Sequence, residues 1–442
     1  MKMKMTATGD YILTNGYDKA EYTGLKPLQD YIAKGEARFA NLEICVSDWT
    51  AWGSSFCGGI WMNTTPDKLP QILDYGCNFY GFANNHTLDF GYLGMQQTLD
   101  NMRKYDVSVT GAGESLEIAS APVYREFEGG KVAFIAVCST FDDSARAGYT
   151  AKVIPGRPGL NPLRCNTAIT VNQEHFDVMK QVIENTQMNG QRDFARKTGF
   201  RPPLKDNELD LNGTQVFLSE NGKEETITTC NKQDLERTCN AIREAKQKAD
   251  YVVVMFHSHQ CDGFRVTQPA RFIVEFSHAC IDAGADMMIG GGVHEFKPIE
   301  MYKGKPIFYS LGNFVFQLRG LQHLPADHHY KHNTHGLNDV DALAAQFKGW
   351  EKGLWVQEEC FWGIIPYVEF EDGKLVKAEM LPIDLGFRKG VQYKGLPFVA
   401  EGETAKRIFE SLKTLSAEKG VQLRQREDGI IEMVLQGGTN NG

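Results

Sequence analysis

Apolar runs that end abruptly in short polar or glycine-rich loops recur along this chain, separated by segments whose apolar positions return with helical spacing. The clearest run, Tyr251-Val252-Val253-Val254-Met255-Phe256, predicts a buried strand. Helical periodicity predicts helices over 66–76, 94–105 and 234–249, and a further strand lies over 131–137. Alternation of this kind, sustained from Met5 to about Thr140, predicts an α/β core. Between about 142 and 234 the pattern breaks into Pro/Gly-rich stretches such as Ile154-Pro155-Gly156-Arg157-Pro158-Gly159-Leu160-Asn161-Pro162, with a polar, helix-compatible stretch over 173–198. Irregular segments of that length serve as lids, binding loops or excursions. Farther on, 363–380 predicts a hairpin around Glu371-Asp372-Gly373, and 401–420 predicts a closing helix.

Five strand endings carry polar groups suited to binding a cation. They are Met5-Thr6-Ala7-Thr8-Gly9-Asp10, Arg38-Phe39-Ala40-Asn41-Leu42-Glu43, the stretch from Gly81 through Asn84-Asn85-His86 to Gly91, the run ending in His257-Ser258-His259, and Gly290-Gly291-Gly292-Val293-His294. An Asn carbonyl ligates a cation without adding charge, and a neighbouring His either ligates or passes a proton to a departing oxyanion. Because ligands collect at the carboxyl ends of strands in open α/β sheets, the five endings are expected to converge in one cleft. Each motif alone has a plainer reading. Asn-Asn-His also fits a turn whose Asn side chains cap a helix beginning near Thr87, and a strand-end His is often a satisfied structural one.

Taken in order, these blocks resemble the CapA/PgsA family of bacterial capsule synthesis proteins, whose fold is that of the calcineurin-like metallophosphoesterases. Gly9-Asp10, Asn41-Leu42-Glu43 and Ala83-Asn84-Asn85-His86 with Asp89 and Gly91 match its motifs. His257 and His294 fall at family histidines, and Ile307-Phe308-Tyr309-Ser310-Leu311-Gly312-Asn313-Phe314 is close to its longest signature. The resemblance implies an α/β fold of the four-layer α/β/β/α metallophosphatase-like sandwich type with irregular insertions. It spans 5–385 with the insertion at about 142–234, and a C-terminal extension over 386–442 carries the closing helix. It also implies two divalent ions (Mn2+, Zn2+ or Fe2+), with Asp10 and Glu43 as anionic ligands and Glu43 bridging. Asn85 and His257 complete the second ion, His294 returns to the first, and His86 is the general acid. Asn84, Asn313, His329 and Tyr330 are the expected substrate contacts.

The chain departs from the family pattern where function is at stake. Gly292 stands at a family His, and His257-Ser258-His259-Gln260-Cys261 stands where the family has a His-Trp-Gly-x-Glu segment. Because residues two apart on an extended segment share a face, His259 is expected to supply the nitrogen missing at Gly292. The rival expectation is a degenerate site with one ion or none. Two functions follow: a hydrolase acting on a phosphoester or amide through metal-activated water, linked to capsule or poly-γ-glutamate metabolism, or a non-catalytic polymer-binding scaffold of capsule biosynthesis. The expected substrate is a small or polymeric anionic or peptide-like molecule.

Composition narrows the partners. The 442 residues are 42% hydrophobic and carry a net charge of −9 with no Lys/Arg-rich block, which argues against nucleic acid. Arg146, Arg157, Arg164, Arg201 and Lys205 are candidates for a basic groove, with scattered solvated charge as the alternative. No run of eighteen apolar residues predicts a membrane span, and the absence of an apolar signal core after Met1 leads to the expectation of a cytoplasmic protein, or an extracellular one if a leader has been removed. Ten cysteines without Cys-x-x-Cys spacing fit reduced thiols, with Cys261 the one near the site. His323, His328, His329, His332 and His335 allow ligands on one helical face. The turn-like Leu324-Pro325-Ala326-Asp327 and the competing Lys331 favour instead a surface or substrate-facing loop.

Overall fold

The strand Tyr251–Ser258 lies at the centre of a six-stranded sheet, and its side chains sort by parity into two different cores. Val253 and Met255, with Val132, Phe134 and Ala136 of the neighbouring strand Gly130–Cys138, face one core, while Val252, Val254 and Phe256 with Ala133, Ile135 and Val137 face the other. This follows from the two-residue repeat of a strand covered on both faces. In this computed structural model, which describes residues 2–435, the strand is parallel to both neighbours, Gly130–Cys138 and Met287–Gly292. The outer face is covered by helices Lys232–Lys246 and Arg271–Ala283. Asn231 caps the first by accepting from the Asp234 N–H, and Gly284, at φ 117°, ends the second in the left-handed conformation that favours glycine.

The inner face packs against a ten-stranded mixed sheet. Its main path runs Leu423–Gln425, Ile431–Met433, Lys374–Asp384, Trp362–Glu371, Lys2–Ile12, Ala37–Leu42, Phe79–Gly81 and Ser108–Thr110. The first strand changes partners along one edge. Lys2–Thr6 pair antiparallel with Tyr367–Glu371, and Asp10–Ile12 then pair parallel with Asn313–Phe316. Phe134 joins the sheets, its ring 5.1 Å from Phe39 and 5.6 Å from Phe79, and burying such a side chain contributes roughly 1.5–3 kcal/mol. The arrangement is mixed α/β, as expected. The 363–380 hairpin forms as Trp362–Glu371 and Lys374–Asp384, and the closing helix as Gly402–Ala417. Residues 436–442 of the expected C-terminal extension, and Met1, lie outside the described residues.

Two expectations change. The interval 142–234 is not mainly loop. Its strands Glu208–Leu211, Thr214–Leu218, Cys165–Val171 and Glu225–Cys230 form a separate four-stranded sheet around a small core of Val171, Phe176, Leu209 and Val216. The helix-compatible stretch divides into Gln173–Thr186 and Gly190–Lys197 at Gln187, whose φ is 53°. The His-rich surface loop contains the helix Ala326–His332, with His328 fully buried.

Candidate metal centre

Residues from the five strand endings meet where the two sheets come closest. Asp10 lies inside its strand, after a register shift between Ala7 and Asp10, and the strand continues to Ile12. The shift turns the carboxylate toward the opposite sheet, where Oδ2 accepts from the Gly292 N–H at 2.9 Å and Oδ1 accepts from Asn41 Nδ2 at 2.7 Å. Gly291 allows this approach, since a Cβ there would stand 2.6 Å from Asp10 Oδ1. Asn41 Nδ2 also lies 3.1 Å from His257 Nδ1, so one amide ties the first carboxylate to the central imidazole.

Glu43 follows the strand Ala37–Leu42 directly and is completely buried, yet neither carboxylate oxygen has a hydrogen-bond partner. Its Oε1 is 3.5 Å from His257 Nε2 and 4.0 Å from His86 Nε2. Burial, reinforced by the neighbouring Asp10, holds the Glu43 carboxyl well above the usual carboxylate range. Burial raises Asp10 as well, against the opposing pull of His294, Asn41 and Gly292. The imidazoles respond in the opposite sense. Burial, with added repulsion that any charge on the neighbouring imidazoles or Lys297 would exert, pushes His257 and His259 well below the usual histidine value, and burial lowers His294. At neutral pH these three rings are uncharged and each has a nitrogen lone pair.

Asp10, Glu43 and His257 bring one ligand atom each within 4.8 Å of one another, and Glu43, His259 and His294 do the same. Glu43 is common to both sets. In these sets His257 falls with Asp10, and His294, itself an electrostatic neighbour of Asp10, falls with His259. His259 Nε2 is 3.2 Å from His257 Nε2, and its ring fills the space beside Gly292, where a Cβ would stand 3.0 Å from His259 Cδ2. Asn85 Oδ1 reaches His257 Nε2 at 2.6 Å. A buried carboxylate without a donor, ringed by neutral imidazoles and a second carboxylate, suits a divalent cation of borderline hardness.

Surrounding groups fix these side chains. His294 has a φ of 63°, and its Nδ1 meets Asn313 Oδ1 at 2.8 Å, which leaves Nε2 for a ligand. Asn313 Nδ2 donates to the Cys360 carbonyl, and Asn84 Nδ2 donates to Asn41 Oδ1 and the Leu42 carbonyl. Both side chains are buried with these groups engaged. The Asn-Asn-His segment does not cap a helix: the next helix begins at Gly91 without a side-chain cap. His86 Nδ1 meets Asp89 Oδ2 at 2.6 Å, and Asp89 also accepts from the Gly58 and Met62 N–H groups.

Asp89 as the group orienting His86 was missed in the sequence, although its three-residue spacing from His86 was visible. Lys297 was missed too. It is buried, donates to the Gln260 carbonyl at 2.7 Å, and burial lowers it to about 7. His329 spends Nε2 on Asp339 and Nδ1 on Thr334, and Tyr330 is 72% exposed with its ring against His335.

Among the described residues, no helix is long and apolar enough to cross a membrane. The uncharacterized protein y4uA of Sinorhizobium fredii is 29% identical over 432 residues, covering 95% of this chain and 90% of that protein. The PGA biosynthesis protein CapA of Bacillus subtilis is 26% identical over 64% of this chain and 55% of its own length. A probable polyglutamine synthesis accessory protein of Mycobacterium tuberculosis is 25% identical over 58% and 50% respectively. The family described as bacterial capsule synthesis protein PGA_cap matches residues 4–318, and the chain belongs to that family.

Proposed function

We propose that this protein is a metal-dependent hydrolase of a metallophosphatase-like α/β/β/α architecture, acting on a phosphoester or amide bond in an anionic or peptide-like substrate of capsule or poly-γ-glutamate metabolism. The observation that carries the reading is Glu43, a fully buried carboxylate with no hydrogen-bond partner, facing His257 and shared by two potential ligand sets. The sheets that share a core, with helices outside them, support the architecture.

Asp10, Glu43, His257, His259 and His294 would hold one or two ions, with Asn85 beside them. A divalent cation supplies Lewis acidity toward a phosphoryl or acyl oxygen and acidifies water. The rest falls to the protein. Asp89 holds the His86 ring by Nδ1 and keeps Nε2 toward the cluster, where a proton can be delivered to a leaving oxygen or nitrogen. Asn313 holds the tautomer of His294, and Asn41 holds Asp10 and His257 together.

Metal analysis of the purified protein, followed by assays on phosphodiesters and γ-glutamyl amides with Mn2+ or Zn2+, tests the proposal. Bound metal with turnover that His86→Ala abolishes without metal loss is the expected result. Bound metal with no turnover across both substrate classes would favour the polymer-binding scaffold instead.

A further inference from the structure

We propose a second, separate transition-metal site formed by His328 and His332. The helix Ala326–His332 sets the two residues one turn apart, with ring centroids 4.5 Å from each other. His328 is 0% exposed, and both its ring nitrogens are buried without a hydrogen-bond partner. Nε2 of His332 is in the same condition. A buried imidazole ordinarily satisfies its nitrogens, so two adjacent rings with orphaned nitrogens offer lone pairs that a cation can take.

The other histidines of the segment behave differently. His329 is held by Asp339 and Thr334, and His323 lies 3.6 Å from the Asp339 carboxylate. Burial and the neighbouring rings also lower His328 to about 4, so it is neutral and has a free lone pair at physiological pH. The rings are seated beneath the loop that borders His86: Trp61 meets His328 edge-on at 6.3 Å, a Cβ on Gly53 would touch Pro325, and one on Gly58 would touch His86.

The donor set names the cation class. Neutral imidazoles without a carboxylate favour the late first-row ions Zn2+, Ni2+ and Cu2+ over Mn2+, Mg2+ and Ca2+. The centre at Glu43, with two carboxylates beside its imidazoles, also admits Mn2+, so Mn2+ loading separates the two sites.

The test uses the full chain stripped with chelator and re-equilibrated with Zn2+, and in parallel with Mn2+, counting bound metal per chain. Zinc content in His332→Ala and in His328→Phe, whose apolar ring fills the buried space, should fall by one equivalent relative to wild type, with Mn2+ binding unchanged. A variant carrying both Asp10→Asn and Glu43→Gln should keep that zinc equivalent, which separates this site from the one at Glu43. In the Asp10→Asn, Glu43→Gln variant, Co2+ should give a visible d–d band that adding His332→Ala removes. Unchanged zinc stoichiometry and affinity in His332→Ala would overturn the proposal, and that residue's partial exposure keeps the result readable even if His328→Phe fails to fold.

Discussion

Glu43→Gln tests the metal reading through stability alone. In the chelated protein the wild-type carboxyl is buried without a donor, and its folded pKa is raised well above the ordinary 4.5. The sign follows from linkage. Above pH 4.5 the unfolded chain releases this proton while the folded chain keeps it, so stability falls as pH rises, by about 1.4 kcal/mol per pH unit until the raised folded value is reached. An amide of the same shape cannot ionise and escapes that loss. Glu43→Gln should therefore match wild type near pH 4.5 and exceed it increasingly toward pH 7.5 when metal is chelated. With metal present the order reverses. Saturating wild type at a hundred times Kd adds about 2.7 kcal/mol, whereas deleting a charged ligand from a buried pair costs about 3–5 kcal/mol, or roughly two to four orders of magnitude in Kd. Urea unfolding at pH 5 and 7.5, each with chelator and with Mn2+, reads all four quantities. A variant less stable than wild type in chelator at both pH values, with its Mn2+ gain intact, would refute the reasoning.

Three further outcomes are expected. Asp89→Asn should lower kcat by about 10²–10⁴-fold through misplacement of the His86 proton while metal content stays at the wild-type level, checked by steady-state kinetics with elemental analysis. Gly291→Ala should displace the Asp10 carboxylate, from which a new Cβ would stand 2.6 Å, and weaken metal binding measured calorimetrically with little change in circular dichroism. Phe134→Ala should destabilise the protein by about 3–5 kcal/mol in urea, because its ring packs on both Phe39 and Phe79 between the sheets.

What could be read from the sequence follows from how each segment is buried. Tyr251–Ser258 is covered on both faces, so it reads as an unbroken apolar run, and its ligand-bearing end was legible with it. The strands of the separate small sheet were not. Cys165–Val171 and Glu225–Cys230 are rich in threonine and largely half-exposed, and their pairing leaves no strong two-residue repeat. Leu324-Pro325-Ala326-Asp327 looked like a turn because the residues that make turns also begin helices: Pro325 precedes the first helical residue and Asp327 sits in the first turn. That His259 shares a face with His257 was legible from two-residue spacing, and the structure sets its ring beside Gly292, whereas the nearness of His257 to Asp10 depends on how the sheets approach each other and leaves no mark in the sequence.

Convergence of Asp10, Glu43, Asn85, His257, His259 and His294 on a cation is tested most directly by anomalous diffraction from a crystal grown with Mn2+. The account predicts a peak within bonding distance of Glu43, with His257 and Asp10 or His259 and His294 as its other ligands. Full Mn2+ loading in solution with no anomalous peak at Glu43 would contradict it.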